Sequence, residues 1–238
     1  MYVFENPSDV TNSIIYFLLI ISFTAVVLVF SKKSELILKI ILYFLIFISV
    51  YYILTPFFGD LSLLLALIVT VLLLKRPNLL IINLSAFLLS VGITSIFGIS
   101  LEPIPIIVLL IILAIYDFIS VYKTKHMIDL ADSISEMKLP LLFILPRKDE
   151  GDLKNRSYSV MGVGDVVIPN MLVVSAQVFS NSDYFLIFKM PALFSMLGGL
   201  LALSILLILT EKRPGAYPGL PFINAGAIAG YFASLVLF

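Results

Sequence analysis

The sequence contains no cysteine and a single histidine, His126. The first absence excludes disulfides, a thiolate metal site and a cysteine nucleophile. One histidine cannot by itself make a zinc site or a repeated proton relay. Charge is also scarce: 13% of the residues are Asp, Glu, Lys or Arg, where a soluble domain has about a quarter. Fifteen basic and fifteen acidic residues cancel, so no net charge draws the chain to nucleic acid. What is abundant is apolar. Of 238 residues 61% are hydrophobic, and the mean hydropathy is +1.14. A chain of this size cannot hide that excess in a core, because a small domain leaves much of its surface wet. A soluble globular enzyme and a disordered chain are both excluded, and the solvent for most of this protein is lipid.

A membrane-spanning helix needs about 20 mostly apolar residues. Eight stretches qualify: about 11–30, 36–54, 58–74, 79–98, 103–122, 158–180, 185–209 and 216–237. Spanning strands would alternate polar and apolar residues, and these runs do not. The expected fold is therefore all-α, a polytopic membrane helix bundle of about eight spans. The third stretch is marginal, since Gly59-Asp60 leaves only Leu61 to Leu74 as a clean apolar run. The first starts late, has little charge at its front and is followed by Ser31-Lys32-Lys33. It reads as a span and not as a signal peptide.

Basic residues set the orientation. Lys32/Lys33, Lys75/Arg76 and Lys212/Arg213 follow the first, third and seventh stretches, and seven more lie between 123 and 157. If all eight stretches span, these thirteen of the fifteen basic residues share one side. The positive-inside rule makes that side cytoplasmic and puts both termini outside. The long connection 123–157 has three parts. Apolar residues from Met127 to Met137 recur at helical spacing and suggest a short amphipathic helix on the membrane surface. Leu139 to Pro146 has the length of a strand, and residues 147–157 are a charged solvent loop.

Two carboxylates stand inside apolar runs: Asp117 in VLLIILAIYDFISVY and Asp165 in YSVMGVGDVVIPNML. An ionisable residue well inside a span costs roughly 2.5–3.5 kcal/mol on an insertion scale, and such residues usually serve a pathway or a site. Asp117 is about five residues from the cytoplasmic end of its stretch, and Asp165 about seven into the next. At 1.5 Å per residue both are expected roughly 8–10 Å below the surface, on consecutive antiparallel helices. Each could instead hydrogen-bond separately to a neighbour. If they meet, they share a proton, one acting as base and one as acid. Such a pair can hydrolyse a peptide bond with water alone, without metal, Cys, Ser or His. Gly162 and Gly164 let another backbone approach, or simply pack helices. Pro169 withdraws a hydrogen bond from the Asp165 carbonyl. Tyr116 either lines the site or packs in the core. In Pro218-Gly219-Leu220-Pro221, two prolines three apart suggest non-helical backbone lining a cavity. The alternative is a helix N-terminus with proline near its first position. Gly226-Ala-Ile-Ala-Gly230 is a GxxxG packing motif.

Tyr116-Asp117, Gly162-Val163-Gly164-Asp165 and Pro218-Gly219-Leu220, in this order, resemble the YD, GxGD and PAL motifs of the presenilin and signal peptide peptidase family of intramembrane aspartyl proteases, especially the small archaeal homologues. The motif resemblance covers about 110–238. Two departures stand out: Gly219 replaces the middle residue of PAL, and the family typically has nine spans with YD on the sixth. The resemblance implies a presenilin-like bundle with Asp117 and Asp165 catalytic, Tyr116, Gly162 and Gly164 shaping the site, and Pro218 to Pro221 binding substrate. It implies neither metal nor cofactor. The expected organisation is an amino-terminal bundle over 1–102 and a catalytic bundle over 103–238 that carries the 123–157 loop.

The expected function is an intramembrane aspartic endopeptidase. Its partners would be transmembrane helical proteins or signal peptides as substrates and membrane lipid, with no nucleic acid and with a homo-oligomer left open. The apolar strand at 139–146 could pair with an unwound substrate. The alternative is a proton-coupled transporter or channel, although no inverted repeat is visible. A prepilin-type peptidase would account for GxGD but not for the other two motifs.

Overall fold

The computed structural model describes residues 6–33, 35–75, 78–124, 141–146, 158–212 and 217–237. Among the described residues there are eight α-helices: α1 (Thr11–Lys33), α2 (Glu35–Phe58), α3 (Leu61–Lys75), α4 (Leu79–Gly98), α5 (Pro103–Ile119), α6 (Val163–Phe179), α7 (Met190–Lys212) and α8 (Gly219–Leu237). A π-helical turn, Ser120–Thr124, follows α5. Among the described residues the strands form two antiparallel pairs, β1 (Leu142–Pro146) with β2 (Tyr158–Gly162) and, as a tight hairpin, β3 (Tyr184–Phe185) with β4 (Phe188–Lys189). Five helices are long and apolar enough to cross a membrane, and α1, α3 and α6 provide shorter apolar segments. This is the all-α, multi-pass fold expected from the apolar runs. The marginal third stretch is indeed short, 15 residues or about 22 Å. The surface helix and the charged loop expected at 127–137 and 147–157 lie outside the described residues.

Local chemistry explains several helix boundaries. The Asp9 carboxylate accepts the Thr11 N–H at 2.8 Å before α1, and this bond holds the carboxyl below its usual range. Asn78 caps α4 by accepting the Ile81 N–H at 2.9 Å. Pro103 and Pro105 fall in the first turn of α5, where no N–H partner is needed. Two expected spans begin later than the hydropathy suggested. Residues 158–162 are a strand, and the helix starts at Val163. Residues 184–189 are a hairpin, and the helix starts at Met190. Both segments are aromatic and β-branched, so a hydropathy window cannot tell them from helix.

The chain forms two compact units that are interleaved in sequence: residues 27–93 with 130–164, and residues 1–26 with 94–129 and 165–238. In the first unit Leu38, Leu42, Ile46, Ala66, Ile82 and Leu89 of α2–α4 pack with Leu142 and Ile144 of β1. Asn83 clamps the strand to α4. Its amide donates to the Ile144 carbonyl and its carbonyl accepts the Ile144 N–H, both at 2.9 Å.

In the second unit Ser13 on α1 donates to the Pro105 carbonyl at 2.6 Å, and Ser175 on α6 to the Leu101 carbonyl at 2.7 Å. Helices α7 and α8 pack along their length. A β-carbon on Gly226 would collide with the Gly198 carbonyl oxygen, and one on Gly230 with that of Phe194. The GxxxG is thus a backbone-to-backbone contact. Gly230→Val is expected to lower stability by about 1–3 kcal/mol, the usual range for overpacking. Thermal unfolding in detergent checks this, and an unchanged midpoint would show that the helices can separate freely.

Candidate active site

Asp117 lies in the last turn of α5 and is buried. Asp165 lies in the first turn of α6 and is half-buried. The residue count by which the sequence matched their depths does not hold for Asp165. Asp165 is the third residue of its helix and not the seventh, because β2 takes up the residues before it. Both carboxylates sit at helix ends and not in mid-span.

The first turn of α8 reaches both of them. The Leu220 N–H donates to Asp117 Oδ2 at 3.3 Å. A β-carbon on Gly219 would stand 3.0 Å from Asp165 Cγ and 3.1 Å from each of its carboxylate oxygens. Two consecutive residues of one helix thus touch the two carboxyl groups, and ordinary bond lengths limit the separation of those groups to at most about 10 Å. First-turn N–H groups have no partner within their helix, and the helix dipole is positive at that end. The pair consequently faces a fixed partial positive charge.

The expectation of non-helical backbone at Pro218 to Pro221 is corrected. Gly219, Leu220 and Pro221 form the first turn of α8, and Pro218 immediately precedes it. A proline within the first turn gives up an N–H that had no intrahelical partner, so it does not disturb the helix. Pro218, Gly219 and Leu220 are buried. Gly162 ends β2, and Gly164 is the exposed second residue of α6. Tyr116 is half-buried and meets Phe17 of α1 edge-on at 6.2 Å.

Two residues outside the motifs make long-range hydrogen bonds: Asn83, which clamps β1 within the first unit, and Asn224, which bears on the site. Asn224 is buried on α8, one turn beyond Leu220. It donates to the Leu110 carbonyl of α5 at 2.9 Å, and its own carbonyl oxygen has no partner among the described residues. The α5–α8 contact is thus fixed at two levels, at Asp117 and two helical turns away at Leu110. The available signal was an amide inside an apolar run, in LLIINLSAF and GLPFINAGAI. Asn224→Leu removes both the bond and the orphan oxygen. It is expected to lower kcat about tenfold, the equivalent of one interhelical hydrogen bond, while the unfolding temperature stays level or rises. A fall in stability without a fall in kcat would count against this role.

The chain matches the family model "Signal-peptide peptidase, presenilin aspartyl protease" over residues 1–238. The chain belongs to this family. Two solved structures of a presenilin family intramembrane aspartate protease, in C222 and P2 space groups, resemble it. The first is 32% identical with a TM-score of 0.74, covering 99% of this chain and 89% of that one. The second is 33% identical with a TM-score of 0.71, covering 98% and 86%. No curated protein matches the chain. The protein is an intramembrane aspartic endopeptidase of the presenilin and signal-peptide peptidase family, and nothing favours the transporter alternative.

Proposed function

We propose that Asp117 and Asp165 are the catalytic pair of this protease. The observation that carries the reading is the first turn of α8, with Gly219 on one carboxyl and Leu220 on the other. The ionised member takes a proton from water as the water oxygen bonds to the scissile carbonyl carbon. The protonated member gives its proton to the carbonyl oxygen. The resulting gem-diol collapses as the amide nitrogen is protonated and the C–N bond breaks. Fixed N–H groups at the α8 N-terminus stabilise the negative charge without reorganising.

The substrate is a single membrane-spanning helix, such as a membrane protein segment or a signal peptide, that unwinds locally. Strand addition would hold the unwound stretch. One edge of β1 pairs with β2, and at Ile144 the other edge is taken by Asn83. Among the described residues, the edge that remains for addition is the outer edge of β2, where Val160 points its backbone groups away from β1. β2 leads directly through Val163 and Gly164 to Asp165. The charge pattern supports a cytoplasmic 123–157 loop with both termini outside. The pair is then presented near the cytoplasmic face, whether the protein acts alone or as a homo-oligomer.

The test is cleavage of a labelled single-span peptide by the purified protein in detergent, with the products located by mass. Cuts within the apolar span are expected. An intact substrate alongside proton-driven uptake into vesicles would overturn the reading.

A further inference from the structure

The hairpin between α6 and α7 has features that proteolysis does not use. Its two-residue turn, Leu186-Ile187, holds Leu186 at a φ of 59°. Residues with a β-carbon seldom adopt that region, and glycine is the usual choice. Here the position holds leucine, 85% exposed, beside Ile187 at 75%. Tyr184, Phe185 and Phe188 are exposed as well.

Several backbone groups of the hairpin and its flanks are satisfied from within the protein. Gln177 on α6 donates to the Ile187 carbonyl at 3.0 Å and accepts the Lys189 N–H at 2.9 Å. The Met190 N–H bonds to the Asp183 carbonyl at 3.2 Å. The Lys189 ammonium donates to the Ser180 carbonyl at 2.7 Å and to that of Val178 at 3.3 Å. It therefore sits on the negative end of the α6 dipole. A loop in bulk water needs none of this, but a segment at a lipid boundary does.

Length places the hairpin at that boundary. The 23 residues of α7 rise about 34 Å, against a hydrocarbon core of about 30 Å. With the Lys212 end of α7 at one face, Met190 reaches the other, and the hairpin adjoins it. Further along α7, Leu197, Leu200 and Leu201 are exposed as well. Tyr184 and Lys189, 5.8 Å from ring centroid to ammonium, are the residue types that anchor at interfaces.

We propose that Leu186 and Ile187 insert into the lipid leaflet at the end of α6 remote from Asp165, making the hairpin a membrane anchor that holds α6 and α7 at fixed depth. The reading rests on the multi-pass membrane fold and is independent of the catalytic assignment. The chain has no tryptophan, so Leu186→Trp and Ile187→Trp each give a single reporter. The folded variants are reconstituted into phosphatidylcholine vesicles. Quenching by lipid brominated high on its acyl chain is compared with quenching by iodide present on both sides. The expected result for both variants is blue-shifted emission, quenched several-fold more by bromolipid than by iodide. Water-like emission quenched mainly by iodide overturns the proposal. So does emission that shifts only when a single-span substrate is added, which would make the tip a substrate contact instead.

Discussion

Asp117→Asn and Asp165→Asn are each expected to abolish cleavage, by at least about a thousandfold, with the fold intact. Proton transfer by a positioned group is worth about 10²–10⁴ in rate, and a shared-proton pair loses both steps when either member cannot ionise. Asparagine keeps the size of the side chain. At position 117 its carbonyl oxygen can still accept the Leu220 N–H, which is otherwise left without that bond. Alanine at 117 would strand that buried donor at a cost of about 1–3 kcal/mol, so it confuses chemistry with stability. Groups that act as a unit are strongly non-additive. The double variant should therefore be no slower than either single one. Turnover measured in detergent beside a thermal melt decides the matter. Appreciable cleavage by either single variant would remove the pair from the mechanism.

Much of this was legible in the sequence because membrane burial makes polar residues conspicuous. Asp117 and Asp165 stood out against apolar runs, and the thirteen clustered basic residues were the reason to count the short third stretch as a span. Hydropathy, however, reports solvent and not backbone geometry. Tyr158 to Gly162 and Tyr184 to Lys189 are apolar enough to extend a helix, yet both form strands: the first pairs with Leu142 to Pro146, distant in the chain, and the second folds back on itself in a tight hairpin. That error misplaced Asp165 along its helix and gave a correct neighbourhood for an incorrect reason. The prolines at 218 and 221 misled in the same manner. They mark where a helix cannot have come from, and Gly219 to Pro221 turned out to be where one begins. Asn83 and Asn224 were passed over because a single amide costs less in lipid than a carboxylate and belongs to no motif. Their roles depend on which carbonyl they reach, Ile144 and Leu110, and no local pattern encodes that.

The second large effect is expected at Gly219, and its mechanism follows from the helical start. Any side chain there points at Asp165, since a β-carbon would come within 3.0 Å of its carboxyl carbon. In Gly219→Ala the obstacle is a single methyl, and the carboxyl can yield by a few tenths of an ångström. A loss of several-fold is expected. In Gly219→Leu the branched side chain must displace either the Asp165 carboxyl or the first turn of α8, and with that turn the Leu220 N–H on Asp117. A displacement of about 1 Å at reacting groups is enough for a hundredfold loss, so Gly219→Leu should lose at least that in kcat. Stability should hardly move. Both replacements are better helix formers than glycine, and the clash falls on a side chain and not on packed backbone, unlike the clash at Gly230. The discriminating measurement is therefore kcat beside the unfolding temperature for the glycine, alanine and leucine series. A graded loss of kcat at constant melting temperature is the expected pattern. A parallel fall of both would mean that residue 219 holds α8 in place and does not govern the position of Asp165.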